Sequence, residues 1–257
     1  PEVPVDLQLT GSRVLVTGGT RGIGRAIVET FVDEGAVVEF CARDAAEIEA
    51  TEKAIAERGG RATGARLDVR DGPALTGWVE AAAGRLGGLD AVVANVSALA
   101  TPDTEENWYT GFEVDLMHTV RLAKAAIPHL ERSGRGSIVA VSSVSGRESD
   151  AVSGPYGTMK TAIVGYVAGL AFQLAGRGVR ANVVSPGNTY FPDGFWHGIE
   201  RGDPELFAAA LALNPTGRMG TPEEMARAVV FLSSPVSSFT TGTNLVVDGA
   251  LTRGIQL

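Results

Sequence analysis

Six short apolar runs recur along the chain: Arg13 to Thr17, Val37 to Cys41, Ala91 to Asn95, Ser137 to Ser142, Ala181 to Ser185 and Leu245 to Val247. Each is too short for a helix and too uniformly apolar for a strand with one wet face, so the pattern predicts strands buried on both sides. Between them apolar positions fall three or four residues apart, as at Ile23, Ile27 and Phe31 before Gly35, and over Ala45 to Arg58 before Gly59 and Gly60. That spacing gathers them on one side of a helix, and a glycine is the usual stop. Strands alternating with helices predict an α/β fold, a doubly wound parallel sheet with helices on both faces. No repeat and no linker rich in Pro, Gly and Ser interrupts the alternation, so residues 1–257 are expected to form a single domain. The stretch from Pro186 to about Pro215 fits neither pattern. It carries Tyr190, Phe191, Phe195, Trp196 and Phe207 among glycines and prolines, and reads as a long loop with a role in substrate recognition.

Composition narrows the setting. The 257 residues, 44% of them apolar, suffice for one sizeable core without disulfide or metal staples. Cys41 is the only cysteine, which fits a reducing, cytoplasmic compartment and, within a strand, a small buried side chain. The first ten residues lack the basic start and apolar run of a secretion signal, and no run approaches the 18 apolar residues of a membrane span. Neither signal nor membrane is expected. A net charge of -8 repels a phosphate backbone, so nucleic acid is not an expected partner. Arg21 and Arg43 are the local exceptions to watch.

The segment Thr17-Gly18-Gly19-Thr20-Arg21-Gly22-Ile23-Gly24 leaves the first predicted strand and opens the first predicted helix. There backbone amides and the helix dipole can hold a pyrophosphate: Gly18 permits the tight turn, Gly22 the approach of the phosphates, and Gly24 close packing of helix on sheet. A glycine cluster alone is equally consistent with an ordinary strand-to-helix turn. The adenosine end of such a ligand belongs at the next strand ends, where Arg43 and Asp68 stand. Ala42 and Arg43 occupy the place where an acidic residue would accept ribose hydroxyls, and Arg21 lies in the turn itself. Two arginines suit a 2′-phosphate, and the competing reading is a pair of solvated surface arginines. Asp44 comes one residue too late to favour the unphosphorylated cofactor.

Tyr156 and Lys160 stand four residues apart, on one face of a helix. A phenol works as acid or base near neutrality only where positive charge stabilises its phenolate, and an ammonium one turn away supplies it. Ser143, at the end of the run from Ser137, is placed to donate to a developing alkoxide. Ser142 and Ser145 compete with it, and all three serines also fit a bland role in closing a strand. His118, His129 and His197 share no metal-ligand spacing, so no metal is expected; His197, beside Trp196, is the one placed to touch a substrate.

On these residues, together with Asp68-Val69, Ala94 to Ser97, Pro186-Gly187, Thr241-Gly242 and Val247-Asp248-Gly249, the chain resembles the short-chain dehydrogenase/reductase family from about residue 10 to 250. It is similar to the 3-oxoacyl-(acyl-carrier-protein) reductases of the standard single-domain branch. The resemblance implies a Rossmann fold of about seven strands, with Tyr156 as acid and base, Lys160 also on the nicotinamide ribose, and Ser143 positioning the carbonyl. It implies further cofactor contacts from Thr20, Ile23, Val69, Pro186 and Gly187, and a homotetramer or, less often, a homodimer. Three positions depart from the family pattern. Asn95-Val96-Ser97 keeps one Asn of the usual cradle and ends in Ser in place of Gly. Asp115 stands where an Asn usually links the lysine to a water chain, so its charge offsets part of the field favouring phenolate. Thr189 replaces an aliphatic residue near the nicotinamide amide.

The expected activity is therefore interconversion of a ketone and a secondary alcohol, with NADP(H) favoured over NAD(H), on a 3-oxoacyl thioester or natural-product carbonyl. An NAD-dependent dehydrogenase acting on a sugar, steroid or dihydrodiol is the alternative. A redox sensor that binds dinucleotide without turnover is a third, disfavoured by the retained tyrosine and lysine.

Overall fold

A computed structural model describes residues 5–150 and 152–255. Seven strands, β1 (Arg13–Thr17), β2 (Val37–Ala42), β3 (Ala62–Arg66), β4 (Ala91–Ala94), β5 (Gly136–Val141), β6 (Val179–Pro186) and β7 (Asn244–Val247), form a sheet in the order β3-β2-β1-β4-β5-β6-β7. All six pairings are parallel. Successive residues of a strand point to opposite faces, so Leu15 enters one apolar cluster while Val14 and Val16 enter the other. On the first face lie α3 (Gly72–Leu86), α5 (His118–Ser133) and α6 (Pro155–Leu174); on the second lie α1 (Gly22–Asp33), α2 (Ala45–Glu57) and α9 (Pro222–Ser233). Burial on both faces is why these runs are apolar almost throughout. By length and composition the segment Pro155–Arg177 is apolar enough to cross a membrane, yet Ile163, Val167, Leu170 and Leu174 of α6 pack into the core.

Two regions differ from the sequence expectation. β3 gave no apolar run because it is the edge strand: Thr63 and Arg66 are exposed, and Gly64 sits where a side chain would strike Ile48 and Phe40. Residues 186–215 are not a loop. They hold α7 (Phe195–Gly202) and α8 (Pro204–Ala212), the latter started by Asp203, whose carboxylate accepts from Leu206 N at 3.0 Å ahead of Pro204.

Chain order reverses between β1 and β4, and the connections on either side leave for opposite faces. The crevice this opens at the carboxyl ends of the strands is where ligands of such sheets bind.

Candidate active site

Beyond Thr17 the chain turns through Gly18 and Gly22, at φ 72° and 52°, into α1. Gly18 N and Gly19 N donate to Cys41 O at 2.8 and 3.3 Å, tying the turn to β2. A Cβ on Gly24 would collide with Gly18 O and Asn95 Nδ2, so only a bare backbone lets the helix begin this close. Asn95 braces the turn from β4: its N–H donates to Thr17 Oγ1 at 3.1 Å and its Nδ2 to Gly18 O at 3.2 Å, while Val96 lies against Gly18. Helix α1 begins after an extended Arg21 with no side-chain cap, whereas α2, α3, α8 and α9 each start on an Asp or Thr that accepts from first-turn amides. A bare turn leading to uncapped amides at Gly22 and Ile23 fits a dinucleotide pyrophosphate. Arg21 is exposed beside it, and Thr20 donates to Glu47 Oε2 at 2.7 Å.

At the carboxyl ends of β2 and β3, Arg43, Arg66, Leu67 and Asp68 line a cavity of about 320 Å³. Arg66 Nε donates to Arg43 O at 3.2 Å, so the cavity has a second arginine that the sequence reading missed. The signal is its place at a strand end, hidden because β3 carries no apolar run. Asp44 caps α2, accepting from Ala46 N and Glu47 N at 2.8 and 3.1 Å. Asp68 pairs with Arg70 at 2.6 Å, and that guanidinium holds its carboxyl below the usual range. Val69 is a core residue.

Helix α4 (Glu105–Gly111) meets α5 through a π-helical turn over Phe112–Met117, where His118 N reaches back five residues to Glu113 O. Such turns are frequent at functional sites. This one carries Asp115 into the interior, where its Oδ2 accepts from Ala98 N at 3.0 Å. Asp115 Oδ1 lies 3.1 Å from Lys160 Nζ but meets no donor in hydrogen-bond geometry among the described residues, so this link is coulombic. Lys160 Nζ donates to Val141 O at 3.3 Å and stands 5.5 Å from the centroid of the Tyr156 ring. Burial pushes the lysine toward its neutral form, but the Asp115 carboxylate and Tyr156 outweigh it and raise the pKa, so the ammonium persists. His118 is fully buried three residues beyond Asp115. Its Nδ1 faces the Val114 carbonyl at 3.1 Å and must carry the proton, which leaves Nε2 to accept from Thr17 Oγ1 at 2.8 Å. Burial, against the pull of Asp115, lowers its pKa to about 4.

The three serines separate by what their hydroxyls do. Ser142 Oγ donates to Lys160 O at 2.8 Å and Ser145 Oγ to Asp150 Oδ2 at 2.5 Å. Ser143 Oγ accepts from Ser145 N at 3.1 Å, and among the described residues its own hydrogen has no acceptor. It alone is free to donate to a substrate oxygen.

After β6, Gly187 N donates to Val247 O at 2.9 Å, and Thr189 is buried, with Oγ1 donating to Gly187 O at 3.1 Å. Ser97 Oγ accepts from Leu99 N at 3.2 Å. His197 spends its Nδ1 on Asp193 N at 2.8 Å, within the segment leading to α7.

Comparison with known proteins identifies the family. A family model described as enoyl-(acyl carrier protein) reductase matches residues 18–252. The chain is 39% identical over 252 residues to isoepoxydon dehydrogenase patN of Penicillium expansum, covering 96% of this chain and 97% of that one. It is 38% identical over 262 residues to L-fucose dehydrogenase of Mus musculus, covering 95% and 90%. A crystal structure of a short-chain dehydrogenase/reductase from Burkholderia xenovorans superposes with a TM-score of 0.89 at 31% identity, covering 95% and 97%.

Proposed function

Because the chain belongs to the short-chain dehydrogenase/reductase family, oxidoreductases that interconvert alcohols and carbonyls with a nicotinamide dinucleotide, we propose that Tyr156 is the acid and base of that reaction. The dinucleotide, when bound, supplies or removes the hydride. In reduction the Tyr156 phenol gives its proton to the carbonyl oxygen, and Ser143 donates a hydrogen bond to the same oxygen as negative charge grows there. In oxidation the Tyr156 phenolate takes the hydroxyl proton, and Ser143 still donates to the same oxygen while it carries negative charge. Lys160 stabilises the phenolate by its charge, and Asp115 keeps that ammonium protonated and in place while moderating its field. The observation that carries this assignment is the buried, charged Lys160 between Asp115 and Val141, one helical turn from Tyr156. Burying that charge costs desolvation, and a role in stabilising the phenolate accounts for its being there.

Gly18, Gly22, Ile23 and Gly24 would hold the pyrophosphate, with Asn95, Val96 and Ser97 closing the cradle and Pro186, Gly187 and Thr189 at the nicotinamide end. The cofactor we assign is NADP(H), supported by Arg43 and Arg66 lining a cavity whose nearby Asp44 is used as a helix cap, and by the exposed Arg21 in the glycine turn. The substrate class is a natural-product carbonyl or 3-oxoacyl thioester. Similarity to an L-fucose dehydrogenase favours a second reading, NAD-dependent oxidation of a sugar. Residues 1–257 act as one domain that assembles as a homotetramer. Phe172 and Phe239, 89% and 103% exposed, support self-association, and a light-scattering mass of four chains tests it.

Initial rates with NADPH and NADH over a panel of ketones and alcohols test the assignment. NADPH is expected to be preferred, and Arg43→Ala and Arg66→Ala to lower its kcat/KM by about tenfold each while sparing NADH. A wild-type preference for NADH, unmoved by either substitution, would overturn the NADP(H) reading.

A further inference from the structure

Tyr190 and Phe191 are consecutive residues whose side chains engage two different parts of the site. Their stem is fixed: Gly220 N donates to Asn188 O at 2.8 Å and Tyr190 N to Gly220 O at 2.9 Å, pairing Thr189 with Gly220. Tyr190 engages the two helices that follow, its hydroxyl donating to Glu200 Oε2 at 2.5 Å and its ring meeting His197 and Phe207 edge-on at 6.1 and 5.9 Å. Phe191 lies instead over the glycine turn. A Cβ placed on Gly22 would stand 2.5 Å from Phe191 Cζ and 2.8 Å from Cε2, so the ring tip rests on the backbone that opens α1.

The same ring is folded against the start of α7. A Cβ on Gly194, its N-cap, would meet Phe191 Cζ at 2.8 Å and Cε1 at 2.9 Å. Between ring and helix, Gly194 N donates to Phe191 O at 3.1 Å, closing a turn in which Asp193 takes φ 59°. Pro192 fixes the first half of that turn and an Asp tolerates the left-handed second half, so ring and helix start move as one piece.

We propose that Phe191 is a latch on the phosphate-binding turn, displaced by the dinucleotide's pyrophosphate, and that its displacement repositions α7 and α8 through the Pro192–Gly194 turn and Tyr190. The proposal rests on reading the N-terminus of α1 as the pyrophosphate site. An aromatic ring offers the uncapped amides of this turn no strong acceptor, and phosphate oxygens do, so anion binding and an open ring favour each other. Substrate then meets correctly placed helices only after the cofactor has bound.

Wild type, Phe191→Ala and Phe191→Leu are compared in two measurements: stopped-flow binding of NADPH and NADH followed by nicotinamide fluorescence, and backbone hydrogen exchange over residues 190–212 with and without NADPH. In wild type the binding rate levels off with concentration, because ring opening comes first. F191A speeds association by about tenfold and makes its concentration dependence linear, with F191L between. NADPH alters exchange of α7 and α8 in wild type, and that response is lost in F191A at saturation. The Leu variant keeps apolar bulk and carries the comparison if F191A fails to fold. Equal rates and equal exchange responses in all three proteins overturn the latch and leave the binding site standing. Slower association in F191A, the mark of a ring that packs on the cofactor, also overturns it. Failure of wild type to bind either dinucleotide overturns the functional assignment itself.

Discussion

The polar cluster beside Tyr156 and the helical pair after β6 both use charged and aromatic side chains, yet they are held in opposite ways. Asp115, His118 and Lys160 are each at most 2% exposed, and they bond to three different parts of the chain, at Ala98, Thr17 and Val141. Helices α7 and α8 hold largely to one another through Tyr190, Glu200, His197 and Phe207, with no fully buried residue in α7 and only Ala210 in α8. The first arrangement fixes charges before a substrate arrives. The second can shift as a unit without breaking a buried bond. On the proposed assignment, proton transfer, common to every substrate, needs the former, and recognition of one substrate tolerates the latter.

The contrast predicts large, specific losses in the cluster and small ones among the helices. Ser143→Ala should lower kcat/KM by about 10²- to 10³-fold, the usual loss for a donor to a developing oxyanion. Ser145→Ala, whose hydroxyl is committed to Asp150, should lower it far less. Comparable losses for the two would undo the distinction drawn from their hydrogen bonds.

Next comes His118. Its folded-state pKa of about 4 lies below the ordinary 6.5, so the unfolded chain takes up a proton that the folded chain rejects. This contribution is complete above pH 6.5 and is lost as pH falls toward 4, a change of about 3 kcal/mol. Urea unfolding at pH 7 and 4.5 should show a smaller loss in His118→Gln than in wild type, and equal losses would contradict it.

Asp115→Asn should move the ionisation seen in the pH profile of kcat/KM downward by about one unit. The ammonium then acts unopposed on Tyr156, an effect that outweighs the pull of burial toward neutral lysine once the carboxylate is gone. A stationary profile would remove Asp115 from the proton chemistry. The smallest effect belongs to Tyr190→Phe, which deletes the bond to Glu200 and should raise KM by about twofold to threefold while sparing kcat and Tm. A shifted pH profile in that variant would show that the two regions are not separate.

The same contrast explains what was legible in the sequence. Strands buried on both faces announce themselves as apolar runs, and Tyr156, Lys160 and the glycine turn are short-range spacings that need no tertiary knowledge. The π turn over Phe112–Met117 is invisible because one extra residue in a helix leaves the apolar pattern almost unchanged, though it turns Asp115 inward and aims His118 at Thr17. His118 therefore looked uninformative by metal spacing and gains its meaning only from that turn. Arg66 was hidden by an edge strand without an apolar run. Helix α7 was masked by Gly198, Gly202 and the exposed Phe195, whereas the Asp203-Pro204 start of α8 was readable.

Replacing Tyr156 by Phe keeps the ring and removes only the hydroxyl. With NADPH affinity measured alongside, turnover should fall by about 10³-fold while cofactor binding stays near the wild-type value. Turnover that survives the substitution would mean that another group moves the proton.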